Sequence, residues 1–155
     1  MAEDELVKKT LETSKTIAMV GVSSIKKEIS TNIRRRPSII VMKYMQEFGY
    51  RVIPVNPFSA GKKIHGEIMV AKLNDIKIPV DIVDVFRPSK EAPMIAEDAV
   101  KIGAKVFWLQ YGIENDEAKQ IVESKNIFYV SNKCIKQEYQ RLFLKVSPVF
   151  PALKN

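Results

Sequence analysis

One cysteine, one histidine and one tryptophan among 155 residues exclude several chemistries at the outset. A single cysteine cannot close an internal disulfide, and Cys134 with His65 cannot supply the four ligands of a structural zinc site, so no metal is expected. No apolar run approaches the ~18–20 residues of a membrane-crossing helix, and no membrane partner is expected. The opening Met1-Ala2-Glu3-Asp4-Glu5 is acidic and lacks the apolar stretch of a secretory signal, which makes the cytoplasm the expected location. Glycine numbers only six, and neither G-x-G-x-x-G nor G-x-x-x-x-G-K-[ST] occurs. Gly-x-Ser-x-Gly is absent too, and a hydrolase would have only His65 as its base.

What is present is a globular balance, 46% hydrophobic and 28% charged, over a length that suits one domain spanning residues 1–155. Lys and Arg number 25 against 18 Asp and Glu, a formal charge of +7. That excess points to an anionic partner: nucleic acid, an acidic membrane surface or a phosphorylated small molecule. Lys26, Lys27, Arg34, Arg35 and Arg36 crowd into one short stretch. A solvated irregular loop is the plain alternative for such a charge run.

The hydrophobic pattern alternates between strands and helices. Residues 4–13 have Leu6, Val7 and Leu11 at helical spacing. Ile17-Ala18-Met19-Val20 is a continuous apolar run ending at Gly21, as in a strand buried on both faces. A helix is predicted from Ser38, with Ser38 as its N-cap and Gly49 as its stop. Further strands are predicted over 51–55, 80–86, 105–110 and 127–130, and helices over 89–102, 114–125 and 136–145. Pro93 implies that the helix from Ser89 is distorted in its first turn or starts later.

This alternation predicts an α/β fold, an open parallel five-stranded sheet with helices on both faces. Counting main-sheet strands in chain order, right-handed crossovers make 3-2-1-4-5 the economical order, with a switch point between strands 1 and 4. Ligands bind such sheets at the carboxyl ends of the strands. The segments delivered there are Gly21-Val22-Ser23-Ser24, Asn56-Pro57, Phe86-Arg87-Pro88 and Gln110-Tyr111-Gly112. The first is a turn with two hydroxyls and exposed backbone N–H groups, backed by cations, which suits a phosphate. Asn56-Pro57 stands where a dinucleotide site needs an acid for the ribose, which disfavours NAD.

Other chemistry-bearing residues have plain structural readings. Asp81 and Asp84 lie three apart on a strand, so they point to opposite faces and make no acid–base pair. Asp81 is expected to be solvated, and Asp84 to bond a nearby backbone group or cation. Phe107 and Trp108 are core by default. Cys134 reads first as a small buried apolar residue, and alternatively as a thiol near the ligand with a pKa lowered by Lys133 or a helix N-terminus.

Four separated motifs occur in order: Ile17-Ala18-Met19-Val20-Gly21-Val22-Ser23, Tyr50-Arg51-Val52-Ile53-Pro54-Val55-Asn56-Pro57, Val80-Asp81-Ile82-Val83-Asp84-Val85-Phe86-Arg87-Pro88-Ser89 and Gly103-Ala104-Lys105-Val106-Phe107-Trp108-Leu109-Gln110-Tyr111-Gly112. With Asn132-Lys133-Cys134 and Glu138-Tyr139, they resemble the small stand-alone CoA-binding proteins, similar to the CoA-binding domain of the succinyl-CoA synthetase α subunit. The resemblance covers roughly residues 14–142 and implies a Rossmann-like domain whose ligand is coenzyme A.

Carried onto this chain, the resemblance places the nucleotide phosphates on Gly21, Val22, Ser23 and Ser24, and the adenosine beside Asn56 and Pro57. Phe86, Arg87 and Pro88 would line the adenine or ribose side, and Gln110 and Gly112 would face the pantetheine or pyrophosphate. Pro37-Ser38 matches an Arg-Pro-Ser segment of bacterial relatives, which makes Arg36 the leading phosphate contact. Ile135 stands where relatives often carry proline after the cysteine. The synthetase's phosphohistidine domain has no counterpart here, so a binding module for CoA or an acyl-CoA is expected, with no catalytic residue assigned.

The alternatives are a redox protein or enzyme using Cys134 near the CoA sulfur, and, less favoured, a nucleic-acid binder through loop 26–36. That loop lacks the interleaved aromatics that stack on bases. A second copy of the chain or another protein could cover the sheet's edges.

Overall fold

In the computed structural model, which describes residues 2–23 and 37–144, the main sheet has five parallel strands. They are β1 (Thr16–Val20), β2 (Arg51–Val55), β5 (Ile82–Val85), β6 (Val106–Leu109) and β7 (Phe128–Val130). A small antiparallel hairpin, β3 (Lys63–Ile64) and β4 (Glu67–Ile68), stands apart from it. The helices are α1 (Glu3–Thr13), α2 (Pro37–Glu47), α3 (Ala92–Ile102), α4 (Asp116–Glu123) and α5 (Ile135–Tyr139), the last continuing into a wider π turn over Gln140–Leu144.

Two hydrophobic layers cover the sheet. On one face α1, α2 and α5 contribute Val7, Leu11, Val41, Met42, Met45 and Ile135 against Ile17, Met19, Ile82 and Trp108. On the other, α3 and α4 contribute Ala92, Ala96, Ala99, Ala118 and Val122 against Ala18, Val83, Val85 and Phe107. The alanines keep α3 close to the sheet, and neighbouring positions of β1, β5 and β6 are buried on opposite sides. Phe107 and Trp108 are both core, and the Trp108 indole N–H donates to the Lys133 carbonyl at 2.7 Å.

The sheet is the expected Rossmann-like one, but its strand order is not the expected 3-2-1-4-5. The observed order is β2-β1-β5-β6-β7, or 2-1-3-4-5 counting main-sheet strands alone. The segment after β2 explains the difference. Val70 returns along the outer edge of β2, donating to the Pro54 carbonyl (3.0 Å) and accepting from Asn56 N–H (2.9 Å). Arg51 holds Glu67 of the hairpin at 3.2 Å beside the same edge. With that edge occupied, no strand adds there. Leu73, in a 3₁₀ turn over Leu73–Asp75, packs into the layer of α3 and α4, opposite α2. A right-handed connection on that face moves the chain back past β1. The switch point therefore lies between β1 and β5, not between the first and fourth strands.

Smaller differences have local causes. Ser38 is not an N-cap, because the helix already begins at Pro37, whose missing N–H costs nothing in a first turn. The segment from Ser89 opens with a 3₁₀ turn over Ser89–Glu91, and the α-helix starts at Ala92 with Pro93 in its first turn. Asn115 caps α4, accepting from Ala118 N–H at 2.8 Å. Asp81 is not simply solvated: it accepts from the N–H groups of Lys15 (2.8 Å) and Thr16 (3.1 Å), closing the start of β1 against β5. Among the described residues no helix is long and apolar enough to cross a membrane.

Asp81→Ala leaves those two strand-entry N–H groups without their acceptor. The expected cost is about 1–2 kcal/mol, read as a lower denaturant midpoint with an unchanged slope.

Candidate functional site

The site grows from the end of β1. Gly21 adopts φ +95°, and a Cβ there would lie 2.6 Å from the Phe86 carbonyl oxygen and 2.8 Å from Arg87 Cδ. Glycine is required twice over, by backbone conformation and by space. Gly21 N–H donates to the Val55 carbonyl (2.9 Å) and Phe86 N–H to the Val20 carbonyl (2.8 Å), so the turn is wedged between the ends of β2 and β5.

Two side chains hold the turn that follows. Asn56 donates from Nδ2 to the Val22 carbonyl (2.7 Å), while its Oδ1 accepts from Phe58 N–H (2.8 Å). Ser38 Oγ, buried at the start of α2, accepts from Ser23 N–H at 3.2 Å. Asn56 thus latches two loops together in addition to bordering a cleft. Val22 is fully buried, so its side chain belongs to the core.

Two hollows flank this turn and share Arg87. The smaller, about 220 Å³, is lined by Gly21, Asn56, Pro57, Phe58, Lys72 and Arg87 among others. The larger, about 710 Å³, is lined by Pro37, Phe86, Arg87, Pro88, Gln110, Gly112 and Cys134 among others. Arg87 is anchored by Glu91 on the next helical turn, through Nε (3.0 Å) and Nη2 (2.8 Å). That pairing raises the Arg87 pKa and lowers that of Glu91, and both side chains remain partly open to solvent. Phe58 is 89% exposed on the rim of the smaller hollow, a large apolar surface with little protein contact.

Behind Gln110, which lines the larger hollow, lies an unusual group. Asp84 is fully buried within β5, and its Oδ1 accepts from Gln110 Nε2. Its Oδ2 has no partner among the described residues. Burial pushes its pKa up to about 7, against the smaller opposing effect of the Gln110 hydrogen bond. The expected backbone or cation partner is therefore replaced by a side-chain amide. Cys134 lines the same hollow, but burial pushes its thiol pKa up, opposite to the lowering expected from Lys133 or a helix end. Backbone N–H groups of α5 pull the other way and are outweighed. Gly112 does not offer its N–H to the hollow: Asn132 Oδ1 takes it at 2.6 Å. Its φ of +86° is what calls for glycine, since a Cβ there would meet nothing within 4 Å.

The structure therefore brings Gly21, Val22, Ser23, Pro37, Ser38, Asn56, Pro57, Phe86, Arg87, Pro88, Gln110, Gly112 and Cys134 to the carboxyl-end rim of the sheet. Ser24, Arg36 and the remaining cations of loop 26–36 lie outside the described residues. His65 sits away from the rim, exposed in the β3–β4 turn. Sequence reasoning missed Phe58 and Lys72, and treated Asp84 as structural. Phe58 follows Asn56-Pro57 directly and was open to notice as an aromatic in a polar turn. Lys72 carries no sequence signal, since only the return of Val70 to β2 delivers it.

The family profile described as the CoA binding domain matches residues 15–140. The chain belongs to the CoA binding domain family. Among relatives of this CoA-binding-domain protein, the uncharacterized protein YneT of Bacillus subtilis is 39% identical over 130 residues, covering 84% of this chain and 89% of YneT. Among solved structures, cell-free ID.343 from Thermus thermophilus superposes with a TM-score of 0.82 at 35% identity, covering 92% of this chain and all of that one. A hypothetical protein from Pyrococcus horikoshii OT3 does so with a TM-score of 0.80 at 35% identity, over 91% of this chain and 92% of its own. The family supports coenzyme A binding in general terms and assigns no reaction.

Two outcomes are expected of this CoA-binding-domain protein. Gly112→Ala pays only for left-handed backbone, about 1–2 kcal/mol, whereas Gly21→Ala adds a clash of about 1–3 kcal/mol and is clearly the more destabilising in parallel denaturant titrations. Asp84 has a folded pKa raised above its unfolded value near 4, so the folded state holds the extra proton and wild-type stability falls as pH rises from about 4 through 7. Each pH unit of that separation corresponds to about 1.4 kcal/mol. Asp84→Asn removes the dependence, and its stability relative to wild type improves between pH 4 and 8.

Proposed function

We propose that the protein binds coenzyme A or an acyl-CoA across the carboxyl ends of β2, β1, β5 and β6, as a single cytoplasmic binding module without a reaction of its own. The observation that carries this reading is the pair of unequal hollows meeting at Arg87 beside the Gly21 turn. Coenzyme A is a two-ended ligand, with a phosphorylated adenosine at one end, a long pantetheine arm at the other and a pyrophosphate between. The smaller hollow, with Asn56, Pro57, Phe58 and Lys72, suits the adenosine end, and an exposed Phe58 ring provides a face for the base. The larger suits the pantetheine arm. The pyrophosphate then crosses the Gly21–Ser23 turn within reach of Arg87, and Ser24 and Arg36 complete its contacts. Arginine is suited to this role because its planar donors bind phosphate oxygens in pairs.

Cys134 in the larger hollow favours a second reading, a mixed disulfide with coenzyme A. The Cys134 thiolate would attack coenzyme A disulfide, forming the Cys134–CoA bond and releasing one coenzyme A thiolate. The raised thiol pKa weighs against it by keeping the thiolate scarce at neutral pH.

Calorimetric titration with coenzyme A, 3′-dephospho-CoA, acetyl-CoA and NAD at one fixed salt concentration tests both. Saturable binding of coenzyme A and acetyl-CoA is expected, weakened about tenfold or more without the 3′-phosphate, with none for NAD. Lack of coenzyme A binding by folded protein overturns the reading. Cys134→Ser is expected to keep wild-type affinity, and a covalent CoA adduct on wild type alone, seen by mass spectrometry, would establish the disulfide.

A further inference from the structure

Asp84 stands where the packing calls for an apolar side chain. Met19 on β1 and Trp108 on β6 are its register partners, and both are fully buried. Its raised pKa comes from burial, opposed by the Gln110 hydrogen bond, with no contribution from a charged side chain among the described residues. The titratable group brought near it is the Cys134 thiol at the entry to α5. A buried carboxyl with one oxygen unpaired opposes folding, which marks the position as serving something other than stability.

Its one partner is Gln110, and that residue is fixed at the backbone. Gln110 N–H donates to the Val85 carbonyl (3.3 Å), and its carbonyl accepts from Ile113 N–H (2.9 Å). The side-chain amide has a donor end and an acceptor end of nearly equal shape, so packing alone does not choose between them. A carboxylate only accepts, and it therefore takes Nε2. Oε1 is left on the other side. It accepts nothing from the described residues, and Gln110 lines the larger hollow.

We propose that Asp84 is a positioning residue, holding the Gln110 amide so that Oε1 faces the hollow and accepts an amide N–H from the pantetheine arm. The inference rests on the coenzyme A reading above. The pantetheine arm carries two secondary amides, each with one N–H. Adenosine 3′,5′-bisphosphate shares the phosphorylated nucleoside end but lacks the arm, and is indifferent to Gln110. When protonated, Asp84 gains a donor of its own, and the amide is no longer held in one sense.

The test is titration of wild type with coenzyme A and with adenosine 3′,5′-bisphosphate between pH 5.5 and 8.5. The bisphosphate is used as its 5′-methyl ester, so that its 5′-phosphate, like the pyrophosphate of coenzyme A, has no ionisation near neutral pH; the 3′-phosphate titrates in both ligands and cancels in their ratio. Coenzyme A affinity relative to the bisphosphate is expected to rise about fivefold through neutral pH, the worth of one ordinary hydrogen bond. Asp84→Asn flattens that rise and lowers coenzyme A affinity at pH 8 by a similar factor, leaving the bisphosphate unchanged. In the pair Asp84→Asn with Gln110→Glu, the asparagine donates to the new carboxylate, whose second oxygen restores an acceptor in the hollow and recovers affinity for coenzyme A. Parallel pH profiles for the two ligands in wild type, or equal weakening of both by Asp84→Asn, overturn the inference and leave the coenzyme A reading standing. No saturable binding of either ligand by folded wild type overturns that reading itself. The wild-type profiles decide even if Asp84→Asn does not fold.

Discussion

The approach of Gly21 to the Phe86 carbonyl is the contact on which the site depends. At 2.6 Å from where a Cβ would lie, it leaves no room for any side chain at the end of β1. Because β1 and β5 are neighbours, their two loops leave the sheet in opposite directions from this point and open a hollow on each side. Arg87 leans across the same glycine and borders both. Asn56 and Ser38 then fix the turn's peptide groups, one from each side, before any ligand arrives. A turn held in this way loses little freedom on binding an anion, which is the main advantage of a preformed phosphate site.

The site also shows where the fold accepts a cost. Asp84 lies among Met19 and Trp108 with one oxygen unpaired, and Cys134 has its thiol held in the neutral form by burial. Cys134 lines the larger hollow, and Asp84 lies behind Gln110, which lines it too. Elsewhere on the sheet, buried polar groups are satisfied: Trp108 donates to Lys133, Tyr50 donates to the Leu11 carbonyl, and Asp81 gathers two N–H groups. Among the described residues the Tyr44 hydroxyl on α2 also lacks a partner, but Asp84 is an ionisable group inside the sheet itself, the kind of departure expected where function competes with stability.

Much of this was legible from residue order. The apolar run 17–20 ending at Gly21, the Asn56-Pro57 segment after β2 and the Gly49 helix stop each act locally, through backbone conformation or period, and the structure keeps them. Ser38 and Gly112 lie at the carboxyl-end rim with partners other than those expected. Ser38 holds the Ser23 peptide where a helix cap was expected, and the Gly112 N–H is occupied by Asn132. Hydrogen-bond partners 15 and 20 residues away leave no trace in local pattern.

Sequence by itself determined the strand and helix alternation, the parallel sheet, the glycine at the turn after β1 and the family, because each follows from short-range periodicity or from motifs read in order. Tertiary structure alone decided the strand order. Whether the third strand adds beside β2 or beside β1 depends on Val70 occupying the β2 edge and on Leu73 crossing the opposite face. The same long-range choice set Arg87 against Gly21, delivered Phe58 and Lys72 to the smaller hollow, and placed Gln110 over Asp84. These are contacts between segments distant in the chain. Their free energies are settled by which surfaces remain open after the sheet has formed, and no local run of residues encodes that.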